Sequence, residues 1–145
     1  MTMSDKHNDV FFVCWIIERF SRVTGLSHKE IVEKMGREEI KHYLNYADVM
    51  HCENPDKIVG ELAEEFGLPV PPLYGSVIDK SLPSLSDIGM VYYRIVRHAH
   101  PDDFVEGIYA VMSSFLPPLI ADYGNNLYWA NREYLVACYN EGCLL

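Results

Sequence analysis

Helix-start and helix-stop signals punctuate this chain along its whole length, and signals for paired strands are nearly absent. Ser27-His28-Lys29-Glu30 has the form of a capping box, in which the serine oxygen accepts a first-turn N–H and the glutamate reaches back to the cap. Leu26 and Ile31 stand where a hydrophobic staple needs them. Asn54-Pro55-Asp56 joins an N-cap, a proline at the first helical position and a first-turn acid. Ser84-Leu85-Ser86-Asp87, His100-Pro101-Asp102-Asp103 and Asn131 open further helices, and Asp9 is read as the N-cap of the first, which is expected to run to about Thr24. Gly25, Gly36, Gly67 and Gly142 sit at the stops.

Between these signals apolar residues recur at helical spacing. Val13, Ile16, Ile17, Phe20 and Val23 form one stripe; Ile40, Tyr43, Leu44, Ala47 and His51 form another, predicting a helix that reaches about His51. Ile58, Val59, Leu62, Ala63 and Phe66 share a face, as do Ile88, Val91, Tyr92, Ile95, Val96 and Ala99. Phe104, Val105, Ile108, Tyr109, Val111, Met112, Phe115 and Leu116 are apolar around much of the circumference, which predicts a central helix broken by Pro117-Pro118. A short helical turn to Tyr123, a turn at Gly124-Asn125-Asn126 and a last helix through Tyr134, Leu135, Cys138 and Tyr139 to Gly142 complete the pattern. Residues 68–83 hold four prolines and read as an extended connection between an N-terminal half, residues 8–67, and a C-terminal half, residues 84–145. The expectation is all-α: one compact domain, residues 1–145, of about seven helices. A chain of 145 residues can bury its own core without disulfides.

Charge and motifs narrow the function. Lys and Arg number 12 and Asp and Glu 21, a net charge of −9 that disfavours nucleic acid and anionic membrane as partners. Residues 27–44 invite a helix-turn-helix reading, but the would-be recognition helix starts Arg37-Glu38-Glu39, whose carboxylates would face phosphates. The first apolar run, residues 10–17, is too short to span a bilayer, and the polar start lacks a basic leader, so a cytoplasmic protein is expected. The cysteines, Cys14, Cys52, Cys138 and Cys143, show no C-x-x-C; Cys14 and Cys138 fall on apolar stripes as core thiols, and Cys143 is expected near the surface. No G-x-S-x-G, P-loop or G-x-G-x-x-G is present, so no catalytic residue and no cofactor are assigned. Ser113-Ser114 are expected to bond carbonyls of their own helix. Asp48, His51 and Cys52 offer metal-capable atoms, and His98-x-His100 could complete them only if the fold joined the halves; a closed zinc site needs four ligands, so a plain helix end is preferred and no metal is assigned.

Two features suggest binding. Arg94, Arg97, His98 and His100 are the one basic cluster, and Arg94 and Arg97 lie opposite the Ile88–Val91–Ile95 stripe, facing solvent. They read as a clamp for a carboxylate or phosphate, or as favourable charge at a helix C-terminus. Tyr123, Tyr128, Trp129, Tyr134 and Tyr139 gather near Asn125, Asn126, Asn131 and Arg132; such aromatics suit an interface or a lid over a core. The candidate binding set is Arg94, Arg97, His98, Tyr128, Trp129 and Arg132. The leading reading is a non-catalytic interaction module; the alternative is a small-ligand sensor or small enzyme with a pocket between the halves. On the first helix Phe11, Cys14 and Trp15 lie away from the main stripe, which either neighbouring helices cover or a homodimer would use.

The segments Tyr46-Ala47-Asp48-Val49-Met50-His51-Cys52, Phe11-Phe12-Val13-Cys14-Trp15-Ile16-Ile17-Glu18, Ser86-Asp87-Ile88-Gly89-Met90-Val91-Tyr92 and Glu133-Tyr134-Leu135 with Cys138-Tyr139 and Gly142 resemble a small helical bacterial family known as domain of unknown function 3791. The match is fullest over residues 8–66. The resemblance carries over no catalytic residue. Similar proteins are often encoded beside ADP-ribosyltransferase-like proteins, which implies a protein partner of that kind and an antitoxin-like or accessory role.

Overall fold

Every regular element among the described residues of the computed structural model (5–50, 52–68, 84–121 and 127–145) is helical. In chain order they are α1 (Asp5–Thr24), α2 (His28–Asn45), α3 (Ala47–Met50), α4 (Pro55–Glu65), α5 (Leu85–Ala99), α6 (Phe104–Ser113), α7 (Leu116–Ile120) and α8 (Arg132–Glu141). They pack as one helical domain around a single apolar core. His51, all of the connection beyond Leu68, Tyr123 and the Gly124-Asn125-Asn126 turn lie outside the described residues.

The local signals act where they were read. Ser27 Oγ accepts from Glu30 N at 3.1 Å and Glu30 Oε1 accepts from Ser27 N at 3.4 Å, closing the capping box. Asn54, Ser84, Asp103 and Asn131 each accept a first-turn N–H at 2.8–3.1 Å. Gly36 takes φ 73°, ψ 166°, a region that glycine alone occupies readily, and so breaks α2 into two helical segments.

Four boundaries differ from expectation. α1 begins at Asp5, so Asp9 lies within it and is no cap. Its added first turn is held by distant groups: Tyr93 OH and His7 Nδ1 share a hydrogen bond of 3.2 Å, and the Lys6 ammonium lies over the Phe104 ring. The helix expected to reach His51 stops at Asn45; a turn at Tyr46 lets Ala47, the first residue of α3, sink fully into the core. α6 ends at Ser113, because Ser114 is extended (φ −75°, ψ 179°), and the two prolines begin α7 instead of merely ending α6. Ser114 Oγ donates to Val111 O at 2.6 Å as expected, whereas Ser113 Oγ is buried with no hydrogen-bond partner.

The central helix is α1, not α6. Val10, Val13, Cys14, Ile16, Ile17 and Phe20 are fully buried, with α5 on one side and α2 on another, while α6 leaves Val105, Tyr109 and Ala110 half-buried. Of the face expected for a homodimer, Phe11, Cys14 and Trp15, the two aromatic residues are half-buried. Their face meets α5 at Gly89, where a Cβ would stand 3.3 Å from Phe11 Cε2 and 3.4 Å from Trp15 Cα. Cys14 has no surface to offer, and burial pushes its thiol far above the ordinary range.

One polar network sits inside this packing. Glu18 is only 2% exposed; its Oε1 accepts from His28 Nε2 at 2.7 Å and its Oε2 from Arg22 Nε at 2.8 Å. Burial pushes the Glu18 carboxyl up, but the hydrogen bonds and charges of His28 and Arg22 outweigh it and hold the group below the usual carboxylate range. His28 is the first residue of α2, so the network ties the start of that helix to α1.

Candidate functional site

The amphipathic pattern of α5 decides which of its groups reach solvent. Ile88, Tyr92, Ile95 and Val96 are buried, and Arg94, Arg97 and His98 are exposed on the other side. α8 packs against α5 and brings the start of its own sequence to the same place. The His98 imidazole is held below its ordinary range by partial desolvation and then by the charges of Arg132 and Arg97, with Glu133 opposing. Arg97, His98 and Arg132 therefore share one electrostatic environment, although α5 and α8 are far apart in sequence. Arg97 Nη1 also donates to Tyr93 OH at 3.3 Å, and Arg132 Nη2 donates to Glu133 Oε1 at 2.7 Å. The Glu133 carboxyl is lowered first by its own backbone N–H and then by Arg132. Arg94 has no hydrogen-bond or ion-pair partner among the described residues.

The aromatic candidates divide. Trp129 is 76% exposed, three residues before Arg132, with its ring edge-on to Tyr128 at 4.8 Å between centroids. Tyr128 turns toward the body of the domain: burial raises its phenol, Asp87 adds to that and Arg22 opposes it, placing it by the other end of α5. Tyr139 OH and His100 Nε2 share a hydrogen bond of 2.6 Å, which pins α8 to the end of α5 and takes His100 out of the basic cluster. Tyr134 OH donates to Leu145 O at 2.8 Å. The structure thus joins Arg97, His98 and Arg132, with Arg94 on the same helix, while the Trp129 ring, three residues before Arg132 in sequence, rests against Tyr128.

Two cavities lie away from these residues. A cavity of about 410 Å³ opens between the two halves of the chain, and none of Arg94, Arg97, His98 or Tyr128 lines it. A groove of about 260 Å³ runs past Phe11, Phe12, Trp15 and Pro55. Asp48 and Cys52 are both exposed, and among the described residues no group of three or more His, Cys, Asp or Glu side chains is placed to hold a metal ion. The helix-turn-helix candidate is tied down at its critical point: Arg37 donates to Glu106 at 2.6 and 3.3 Å and stacks 4.0 Å from the Tyr109 ring centroid, holding the second segment of α2 against α6.

The chain matches no family model, no curated protein and no solved structure. Among the described residues no helix is long and apolar enough to cross a membrane. The residues of two sites escaped sequence reasoning. The Glu18–Arg22–His28 network left only a weak trace, an ionic i,i+4 pair beside an apolar run. A pocket between the halves is the alternative expectation, but its lining left no trace, because it joins the end of α2 to the start of α6.

Proposed function

We propose that this chain is a non-catalytic protein-interaction module, and that it docks an acidic partner through the exposed α5–α8 surface. One observation carries the reading: the Trp129 indole stands in water three residues from Arg132. Burying an indole is worth roughly 1.5–3 kcal/mol, and Trp and Arg are the residue types most enriched among interface anchors. Arg94, Arg97, His98 and Arg132 sit on open surface away from both cavities, an arrangement suited to carboxylates on a second protein more than to an enclosed small molecule. A net charge of −9 on the whole chain opposes a nucleic-acid polymer at the same face.

The resemblance to domain of unknown function 3791 proteins directs the search for the partner to an ADP-ribosyltransferase-like protein, with this chain as its antitoxin-like or accessory companion. The test is calorimetric titration of the two purified proteins. Trp129→Ala should weaken binding about 30-fold, the weight of an interface anchor of about 2 kcal/mol. Arg97→Glu with Arg132→Glu should slow association and flatten its salt dependence. Absence of binding, or undiminished binding by both variants, would overturn the proposal.

A further inference from the structure

The inter-half cavity measures about 410 Å³, inside the roughly 300–1,000 Å³ typical of small-molecule sites. Two unspent charges of opposite sign line it. Lys41, on the last turns of α2, and Asp102, just before α6, pair neither with each other nor with any other described residue. The other charges of the lining include groups already engaged: Asp103 caps α6 by accepting from Glu106 N at 3.0 Å, and the Lys6 ammonium lies 5.6 Å from the Phe104 ring centroid. Leu44 and Val105, both half-buried, supply an apolar wall with surface still to give. A purely anionic ligand would meet the carboxylates of this lining, and a purely cationic one would meet its two lysines. A molecule carrying both charges on a small apolar body satisfies both ends at once.

We propose that this cavity binds a small zwitterion of the aliphatic amino-acid class, its carboxylate on Lys41, its ammonium on Asp102 and its side chain against Leu44 and Val105. The site is separate from the α5–α8 surface and does not depend on the role given to that surface.

The probes are L-leucine, N-acetyl-L-leucine, which lacks the ammonium, and L-leucinamide, which lacks the carboxylate. Each is titrated at millimolar concentration into the isotope-labelled full chain and followed by amide NMR. Leucine should give saturable shifts at Leu44, Phe104 and Val105. Each blocked analogue should bind about tenfold more weakly, the weight of one charge-assisted hydrogen bond. Lys41→Gln and Asp102→Asn should each cause a similar loss, and Trp129→Ala should cause none. The analogues test both ends without altering the protein. No saturable shift with leucine, shifts confined to other regions, or equal binding by either blocked analogue would overturn the proposal.

Discussion

Replacing Glu18 by alanine should be among the most damaging single changes in the molecule. The carboxylate is 2% exposed and accepts two short hydrogen bonds, from His28 Nε2 at 2.7 Å and Arg22 Nε at 2.8 Å. Hydrogen bonds to a charged group are worth about 1.5–3 kcal/mol each, and removing one partner of a buried ion pair costs about 3–5 kcal/mol. Arg22, with 11% of its side chain exposed, can recover some hydration; His28, at 5%, cannot. The expected loss for Glu18→Ala is therefore about 3–4 kcal/mol. At roughly 2.1 cal/mol/K per residue over 145 residues, that is a fall in Tm of about 10–13 °C. Glu18→Gln keeps the shape and one acceptor oxygen and should lose less, about 1–2 kcal/mol. The pH dependence follows from the lowered carboxyl. A carboxyl whose folded value lies below its unfolded value of about 4.3 contributes in full above that unfolded value, and the contribution disappears as pH falls through the folded one. The stability gap between the native chain and Glu18→Gln should thus be constant near neutrality and close below about pH 4. Urea denaturation of the three proteins across that range is the assay. A Glu18→Ala loss under 1 kcal/mol, or a gap that widens in acid, would refute the network as a stabilising element.

Gly36→Ala should cost about 1–3 kcal/mol in the same assay, because φ 73° with ψ 166° is closed to an alanine side chain although open space surrounds it; a neutral result would show that the kink in α2 can relax. Gly107→Ala should cost about 1–2 kcal/mol despite a helix-propensity gain of up to about 1 kcal/mol, since its Cβ would stand 2.8 Å from His100 Cβ and 2.9 Å from Val96 Cγ1. Gly89→Ala, whose nearest neighbours are 3.3–3.4 Å away, should fall close to neutral by thermal melting, and a larger loss there than at Gly107 would contradict these contacts.

The all-helical class, five of the helix starts and the glycine stops follow from the sequence alone, because a cap and its first-turn N–H lie within three residues and a positive φ belongs to one residue. The solvent side of α5 follows as well: its apolar stripe is unbroken, so Arg94, Arg97 and His98 had to face outward. Long-range geometry needed the fold. Periodicity shows that α1 and α6 are each apolar on more than one side, but which lies at the centre depends on what covers the second side, and for α1 that cover is α5. Tyr128 and Trp129 are neighbours of similar chemistry, yet one faces the domain and the other faces water. The basic cluster gains Arg132 only because α8 docks on α5, and the Lys41–Asp102 cavity exists only where the end of α2 meets the start of α6. Local hydrogen bonds and dihedral limits act over a few residues and can be read in one dimension; burial, charge proximity and concavity depend on residues far apart in the chain, and only packing brings those together.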